Sequence, residues 1–489
     1  MRARVRARWG DGAWPGGGAG PGAGRAPVRT RVRARWGRGP DTPVPSSPWV
    51  FPGPGVVSAD DGSMSSAIPP HPDPHGPQVR AVTLVRRPGL WLVPTVLSAL
   101  VALVLSLLYM GGILNPSDNL HRLPIALVDE DQGPPSGQRE NLGRRITDTI
   151  AAAGSSETAV DWRRMDRAAL RDALASGKVY GALVVPEGFT ASVAALTTNR
   201  ATARPRLDVL TNPGVGSLGS SMASQISQTA AHRASLDIGE QLSASAAAPT
   251  ARLLLADPVE VVTSVGHPIG RHSGLGLTAF YYTLLLVLGG FIGGNTISSG
   301  VDTALGYADS ELGPWHTRHA TVPISRTQTL LLKMLMTAGI SVLTTTLVMV
   351  ATIGILGMDA SHLPTLWLFS YCATVAVGLG VQAINAAFGG IGQLVSMFVF
   401  IALALPSSGA TVPLEATPGF YRFLGIFEPM HQLSEGVRAI LYFDARADAG
   451  LARGWIMIAV GVVAALLFGF AMTHYYDRRG LRRLTPQPE

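Results

Sequence analysis

The chain has 489 residues, of which 47% are hydrophobic and 15% charged, with a formal net charge of +7. Soluble globular chains carry about 25% charged residues, so a purely soluble, charge-covered particle is excluded. One cysteine, Cys372, excludes an intramolecular disulfide and a cysteine metal cluster.

Residues 1–79 are rich in Gly, Pro and Arg and lack aliphatic periodicity, the composition of a disordered cytoplasmic tail. The heptad RVRARWG occurs twice there, at Arg4–Gly10 and Arg31–Gly37. One reading is a basic arm touching RNA or anionic lipid. The simpler one is upstream sequence before a start at Met64. Lys178 and Lys333 are the only lysines, and the arginines gather in this tail and beside apolar runs, as membrane anchoring requires. The first apolar run, Leu90–Ile113, lies in an expected transmembrane helix over 88–113. Its 24 residues rise ~36 Å as a helix, enough for a ~30 Å hydrocarbon core. Arg80, Arg86 and Arg87 precede it, which places the N-terminus inside and residues 114–272 outside.

Residues 114–272 alternate short strands and helices. Strands are expected at Ile125–Val128, Thr158–Trp162, Val179–Val185, Leu207–Leu210 and Val259–Val262. Helices are expected at Arg139–Ala153, Asp166–Ala175, Phe189–Leu196 and Gly219–Ala246. The pattern predicts an extracytoplasmic α/β domain with a mixed or parallel sheet.

A membrane domain over 275–475 follows, with five more spans expected at Leu275–Ile297, Thr329–Leu356, Leu366–Phe388, Ile391–Leu405 and Trp455–His474. Lys333 is placed to snorkel at the start of its span. A helical stretch is expected near Ala308–Thr317 in the cytoplasmic loop. Residues 404–453 are too apolar for a free loop and too broken by proline for a span, so they read as an outer re-entrant or interfacial segment, with Glu415 and Glu428 at the interface. Arg478, Arg479, Arg482 and Arg483 open a basic cytoplasmic tail over 476–489. The fold class is thus an α-helical polytopic membrane protein with six transmembrane helices, one plus five, and an inserted extracytoplasmic α/β domain. The location is the cell membrane, with both termini cytoplasmic.

Chemistry is sparse. Asp129, Glu130 and Asp131 follow a strand, where a divalent metal or phosphoryl site is one reading and a strand meeting water the simpler one. His267 with His272, and His316 with His319, are weak metal pairs. The glycine-rich stretch GVGSLGSS at 214–221 lacks the lysine of a phosphate-binding loop. No catalytic, cofactor-binding or metal-ligating residue is expected, and no enzyme activity. Intramembrane polar groups are Asn295, Gln382, Asn385 and Gln393; they fit a helix interface or a soft polar path better than a proton relay. Gly289, Gly290, Gly293 and Gly294 allow close helix packing, within one subunit or across a dimer seam.

Five stretches carry a resemblance: LPIALVDEDQG (Leu123–Gly133), VYGALVVPEGFTASV (Val179–Val193), DVLTNPG (Asp208–Gly214), VPISRTQTLLLK (Val322–Lys333) and VPLEATPGFYRFLGIFEPMHQLSEGVRAILYF (Val412–Phe443). Together they resemble the type-2 ABC exporter permeases, nearest the YhgE/phage-infection-protein-like branch. The resemblance implies a homodimeric or paired permease in membrane lipid, energised by a separate nucleotide-binding ATPase, that moves lipophilic or lipid-linked cargo without a cofactor. No nucleic-acid partner is implied. Trp315, Pro323 and Arg326 would then lie in the loop that couples to the ATPase. Asn295, Gln382 and Asn385 would border the path. The alternative is a non-transporting surface protein, a phage-receptor-like or envelope scaffold acting through its outer domain.

Overall fold

The computed structural model describes residues 88–133, 140–156, 159–197, 203–245, 255–481 and 483. The N-terminal tail with its repeat and Met64, the arginines before the first apolar run, the turn beyond Gly133 and Arg482 lie outside the described residues.

Helix α1 spans Pro88–Ile113. Most of its described side chains from Trp91 to Ile113 are exposed, among them Leu92, Val96, Leu100, Leu103 and Leu107. An apolar surface of that extent is stable against lipid rather than water. Pro94 lies inside this helix, beyond the first four residues whose N–H groups have no intrahelical partner, so it removes one interior backbone bond. The far end of α1 meets the helix bundle, where the Tyr421 hydroxyl donates to the Leu107 and Leu108 carbonyls at 3.3 and 3.0 Å.

The α/β domain follows. Its elements are β1 (Leu123–Asp129), α2 (Leu142–Ser156), β2 (Val160–Arg164), α3 (Arg167–Ala175), β3 (Gly181–Val185), α4 (Phe189–Thr197), β4 (Arg206–Thr211), α5 (Ser217–Ser245) and β5 (Glu260–Val265). The sheet runs β2-β1-β3-β4-β5. β1 is parallel to β2 and β3, β4 is antiparallel to β3, and β5 is parallel to β4. The strands therefore form a mixed sheet. Alternation splits the core in two. Leu127, Leu183, Val185, Leu207 and Val209 face α2, α4 and α5, while Ala126, Val128, Ala182 and Val184 face Leu170 and Leu174 of α3. Both faces of the central strands are covered, so β1 and β3 read as continuous apolar runs.

Beyond it come α6 (Thr278–Ala304), a hairpin of β6 (Ser310–Leu312) and β7 (Trp315–Thr317), α7 (Arg326–Met349), α8 (Leu363–Phe388), α9 (Gly392–Met397), α10 (Gly419–Phe427), α11 (Pro429–Tyr442) and α12 (Leu451–Arg478). Two short π-helical segments, Val350–Ile355 and Phe398–Ala402, extend α7 and α9. Among the described residues five helices are long and apolar enough to cross a membrane, and the chain is a multi-pass membrane protein by that measure. The fourth and fifth expected spans share one continuous helical run, Leu363–Ser407. At 45 residues it would measure ~67 Å if straight, more than twice a ~30 Å core. It is not straight. Gly389 adopts φ +60°, after which Gly392 lies against Asn385 and Phe400 against Gly380, the pairing of two antiparallel arms.

The expected helix near Ala308–Thr317 is instead the β6–β7 hairpin, with Leu312 opposite Trp315. Gly313, at φ +61°, and Pro314 make its turn and stop any helix there. Helix α8 is central to the bundle: Leu366, Phe369, Ala373 and Val377 pack in one cluster with Tyr282 and Leu286 of α6, Leu433 and Val437 of α11, and Ile458 of α12.

Candidate functional site

Three polar assemblies interrupt the apolar bundle and its mounting. The first lies between α6, α7 and α8. Gly290 and Gly294 of α6 sit on α8: a Cβ at Gly290 would be 2.7 Å from the Thr374 carbonyl, and one at Gly294 would be 3.0 Å from Val381. This closeness lets the Gln382 amide donate to the Gly294 carbonyl at 2.9 Å and to Thr337 at 3.2 Å. One turn on, the Asn385 amide donates to the Asn295 side-chain oxygen at 3.0 Å, and Asn295 donates to the Phe291 carbonyl. Asn295, Gln382 and Asn385 are thus brought together, and the glycines are divided. Gly289 approaches Thr344 of α7, while a Cβ at Gly293 would meet nothing within 4 Å. Asn295 also borders an open cavity of about 720 Å³ with exposed Thr296, Ser299 and Gln393.

The second assembly closes the bundle end away from the α/β domain. Lys333 is only 5% exposed; rather than snorkelling, it pairs with Asp302 at 2.9 Å and donates to Ser298 at 2.9 Å. Burying that ammonium is tolerable only with such partners. Arg483 binds the same Asp302 and lies over the Tyr307 ring. Asp477 of α12 accepts the backbone N–H groups of Arg326 and Thr327 at 3.1 and 3.0 Å, and the Thr327 hydroxyl at 2.7 Å. It thereby places a carboxylate at the positive N-terminus of α7. The Arg326 guanidinium donates to the Leu481 carbonyl at 2.8 Å and stacks on Tyr476. Of the expected coupling residues, Arg326 is therefore engaged by the C-terminal segment. Trp315, 73% exposed in β7, and Pro323 are free-standing at the surface.

The third assembly fastens the α/β domain to α10 and α11. The Tyr180 hydroxyl donates to Glu415 at 3.0 Å. Burial and the neighbouring Glu415 carboxylate push the Tyr180 phenol well up from its ordinary range. Arg438, 2% exposed, pairs with Glu435 at 2.7 Å and donates to the Ala410 carbonyl at 3.1 Å, beside Gly216 of the domain. Burial alone would raise the Glu435 carboxyl, but the Arg438 and His431 charges outweigh it and leave the group below its usual range. Phe443 wedges between Gly177 and Gly214 and stacks near His267, whose Nε2 meets the Tyr442 carbonyl at 2.9 Å. His267 is thus a fastener and His272 faces Asp359, so the two do not converge. At the exposed rim of this joint, Asp448 bridges Lys178 and Arg446, which hold its carboxyl down at about 2.

Glu428 lies next to this platform rather than at an open interface. It is buried, and one oxygen accepts the Met430 and His431 N–H groups at 2.7 and 3.3 Å, capping α11. Burial pushes its carboxyl up to about 8. The acids after β1 are structural too. Asp131 accepts the Thr190 N–H at 3.2 Å, the Gly143 N–H at 3.3 Å and the Thr190 hydroxyl, which braces the starts of α2 and α4. Asp129 accepts the Asp131 N–H. His316 approaches Asp309 at 3.7 Å, across the hairpin.

Sequence reasoning missed Asp302, Asp477, Glu435 and Arg438. The signal was present for two of them, since Glu435 and Arg438 stand three apart in a strongly apolar segment, where charges need each other.

Residues 94–461 match the model of a family described as a protein of unknown function, DUF3533. No curated protein matches the chain. A solved structure, a domain of a provisionally assigned ABC type-2 transporter from Thermotoga maritima MSB8, is similar at 21% identity over 32% of this chain and 98% of that one. Its TM-score is 0.21, too low for the likeness to carry an argument. The family match covers well over half of the sequence, from α1 through the α/β domain into α12, and the chain belongs to the DUF3533 family.

Proposed function

We propose that this protein is the permease subunit of a type-2 ABC export system, moving lipophilic or lipid-linked cargo with energy from a separate ATPase. In this reading the chain crosses the membrane six times, the two arms of Leu363–Ser407 each making one crossing. The α/β domain is outside and both chain ends are cytoplasmic. Orientation is supported by Arg326, Arg478, Arg479 and Arg483, all at the bundle end opposite the domain. The narrower placement beside the YhgE/phage-infection-protein-like branch rests on the stretches quoted from the sequence.

The observation that carries the reading is mechanical continuity. Helix α11 holds the α/β domain through Arg438, Tyr442 and Phe443 and packs directly on α6 and α12. Those two helices end in the charged clasp of Asp302, Lys333, Asp477 and Arg483. A push delivered at the clasp would reach the outer domain through close-packed, poorly compressible contacts. The open side of α6, with Gly293, Thr296 and Ser299, is the face on which a second copy or a cargo path would sit. Exposed hydroxyls there need a partner or water at membrane depth.

Affinity purification in mild detergent tests this, with an ATPase expected to accompany the protein. Trp315→Ala is a cleaner probe than Arg326→Glu, because Arg326 also holds the C-terminal segment. Its expected effect is loss of the ATPase at unchanged membrane level. Retention of the ATPase by Trp315→Ala would remove the coupling role of the hairpin, and no ATPase with the wild type would remove the export reading.

A further inference from the structure

A cavity of the α/β domain lies apart from the first two assemblies and reaches the third at one end. It is an open trough of about 800 Å³ between α2 and α5. Its floor is apolar: Ile146 and Ile150 of α2, Trp162 of β2, and Ile226 and Ile238 of α5. The cause is sheet topology. β2 is an edge strand, and its inward residues Val160 and Trp162 stand opposite Leu123 and Ile125. α2 and α5 cover the sheet but do not meet over that edge, so Val160 and Trp162 remain half-buried.

The two ends of the trough differ in chemistry. At one end Arg145 donates to Gln241 at 2.9 Å, with Glu240 and Asp237 close by and Arg233 further along the rim. Arg233 makes no ion pair with any described residue. At the other end Trp162, Val160 and Ile226 join one apolar cluster with Val412 and Ala416. Those last two belong to the platform just before α10, whose Tyr421 clasps the end of α1. The charged lining residues, Arg145, Arg233, Asp237 and Glu240, thus lie from the middle of the trough to the end remote from the helix bundle, and the end that comes down to the bundle carries no charge. Along α5 it runs from Gln225 to Gln241, ~24 Å of helix. One leaflet of a bilayer is about half of a ~30 Å core, ~15 Å deep, so one acyl chain fits the length.

We propose that this trough is a lipid site, holding one acyl chain of a membrane amphiphile against Trp162 and Ile226 with its polar head at the arginine-bearing end. Three features select this occupant over a protein segment. The apolar end shares a cluster with Val412 and Ala416, which stand just before the helix that clasps α1. The volume lies within the ~300–1,000 Å³ of small-molecule sites. The charge is confined to the middle and far end of the trough axis, as a lipid drawn out head first would require. The proposal deepens the export reading by naming the cargo class as an acyl-chain lipid, and it rests on that reading for the trough being outside.

The test is photolabelling of the full chain in nanodiscs of phosphatidylglycerol and phosphatidylethanolamine, doped with a phospholipid carrying a diazirine on one acyl chain. Mass spectrometry is expected to find label on the β2 segment holding Trp162 and on the α5 segment around Ile226, besides the membrane helices. Thr229→Arg, at an exposed position on the trough wall, should bring both trough labels down to the unirradiated background while the melting temperature holds. Ile226→Arg should do the same, with melting as its folding control. Trough peptides without label in the wild type would overturn the proposal. So would labelling unchanged in Thr229→Arg, or a zero-length cross-link joining the troughs of two copies. The labelling needs no ATPase. An unlabelled trough in a protein that still purifies with an ATPase would remove the lipid site alone; a labelled trough without an ATPase would remove the export reading alone.

Discussion

Glu428 is the side chain through which the start of α11 should respond to pH. Its carboxyl caps α11 while nearly enclosed, and burial pushes its affinity for a proton up to about 8. As a neutral acid it still accepts both amide protons through its carbonyl oxygen, so the cap survives protonation. Between about pH 4.5 and about 8 the folded state holds a proton that the unfolded chain has lost. Stability from this group is full below the unfolded value and drains away as pH rises through the folded one. The slope is at most about 1.4 kcal/mol per pH unit across that window. Glu428→Gln keeps an acceptor and removes the titration. Melting followed by intrinsic fluorescence should fall for the wild type from pH 5 to pH 8 and change less for Glu428→Gln. Parallel curves would show that Glu428 is ionised throughout.

At the level of elements, the same glycine run does different work at neighbouring positions. Gly290 and Gly294 let α6 and α8 touch, whereas Gly293 points to open space. Gly290→Val forces a side chain into the Thr374 carbonyl and should cost about 1–3 kcal/mol, read as a lower melting temperature. Gly293→Val should leave the isolated subunit's melting unchanged; if that face meets a second copy, self-association weakens instead. Equal damage from both variants would mean that Gly293 is packed within the subunit. Much of the architecture was legible because its signals are local. Ala182–Val185, too short for a helix and bounded by Gly181 and Pro186, reads as a strand, and leucine-valine runs of span length read as membrane helices. The β6–β7 hairpin was misread because Ala308, Leu312 and Trp315 mimic helical spacing, although Gly313-Pro314 marked the turn. The clasp was not legible at all. Asp302, Lys333 and Arg483 lie far apart in the chain, and only the packing of α6, α7 and the C-terminal segment brings them together.

For the whole molecule, the governing feature is that the α/β domain is inserted between α1 and α6 yet fastened to α11, a helix more than 150 positions further along the chain than β5's end at Val265. Phe443 is the centre of that fastening. It is 3% exposed and fills the gap between two backbone positions that carry no side chain, Gly177 and Gly214. Tyr180, Arg438 and the Lys178–Asp448–Arg446 chain of charges surround it. The exposed charges contribute little, since surface pairs are screened, so the wedge and the buried bonds must hold most of the joint. Truncating a buried Phe to Ala typically costs about 3–5 kcal/mol. If the domain has its own core, as Leu127, Leu183 and Leu207 imply, Phe443→Ala should loosen the joint without unfolding the sheet. Hydrogen exchange should then quicken at residues 174–180, 212–216 and 439–443 while the amides of β1 and β3 stay protected. Loss of protection throughout the sheet would show that the domain depends on the bundle for its fold. Unchanged exchange at the joint would show that the polar bonds hold it without the wedge.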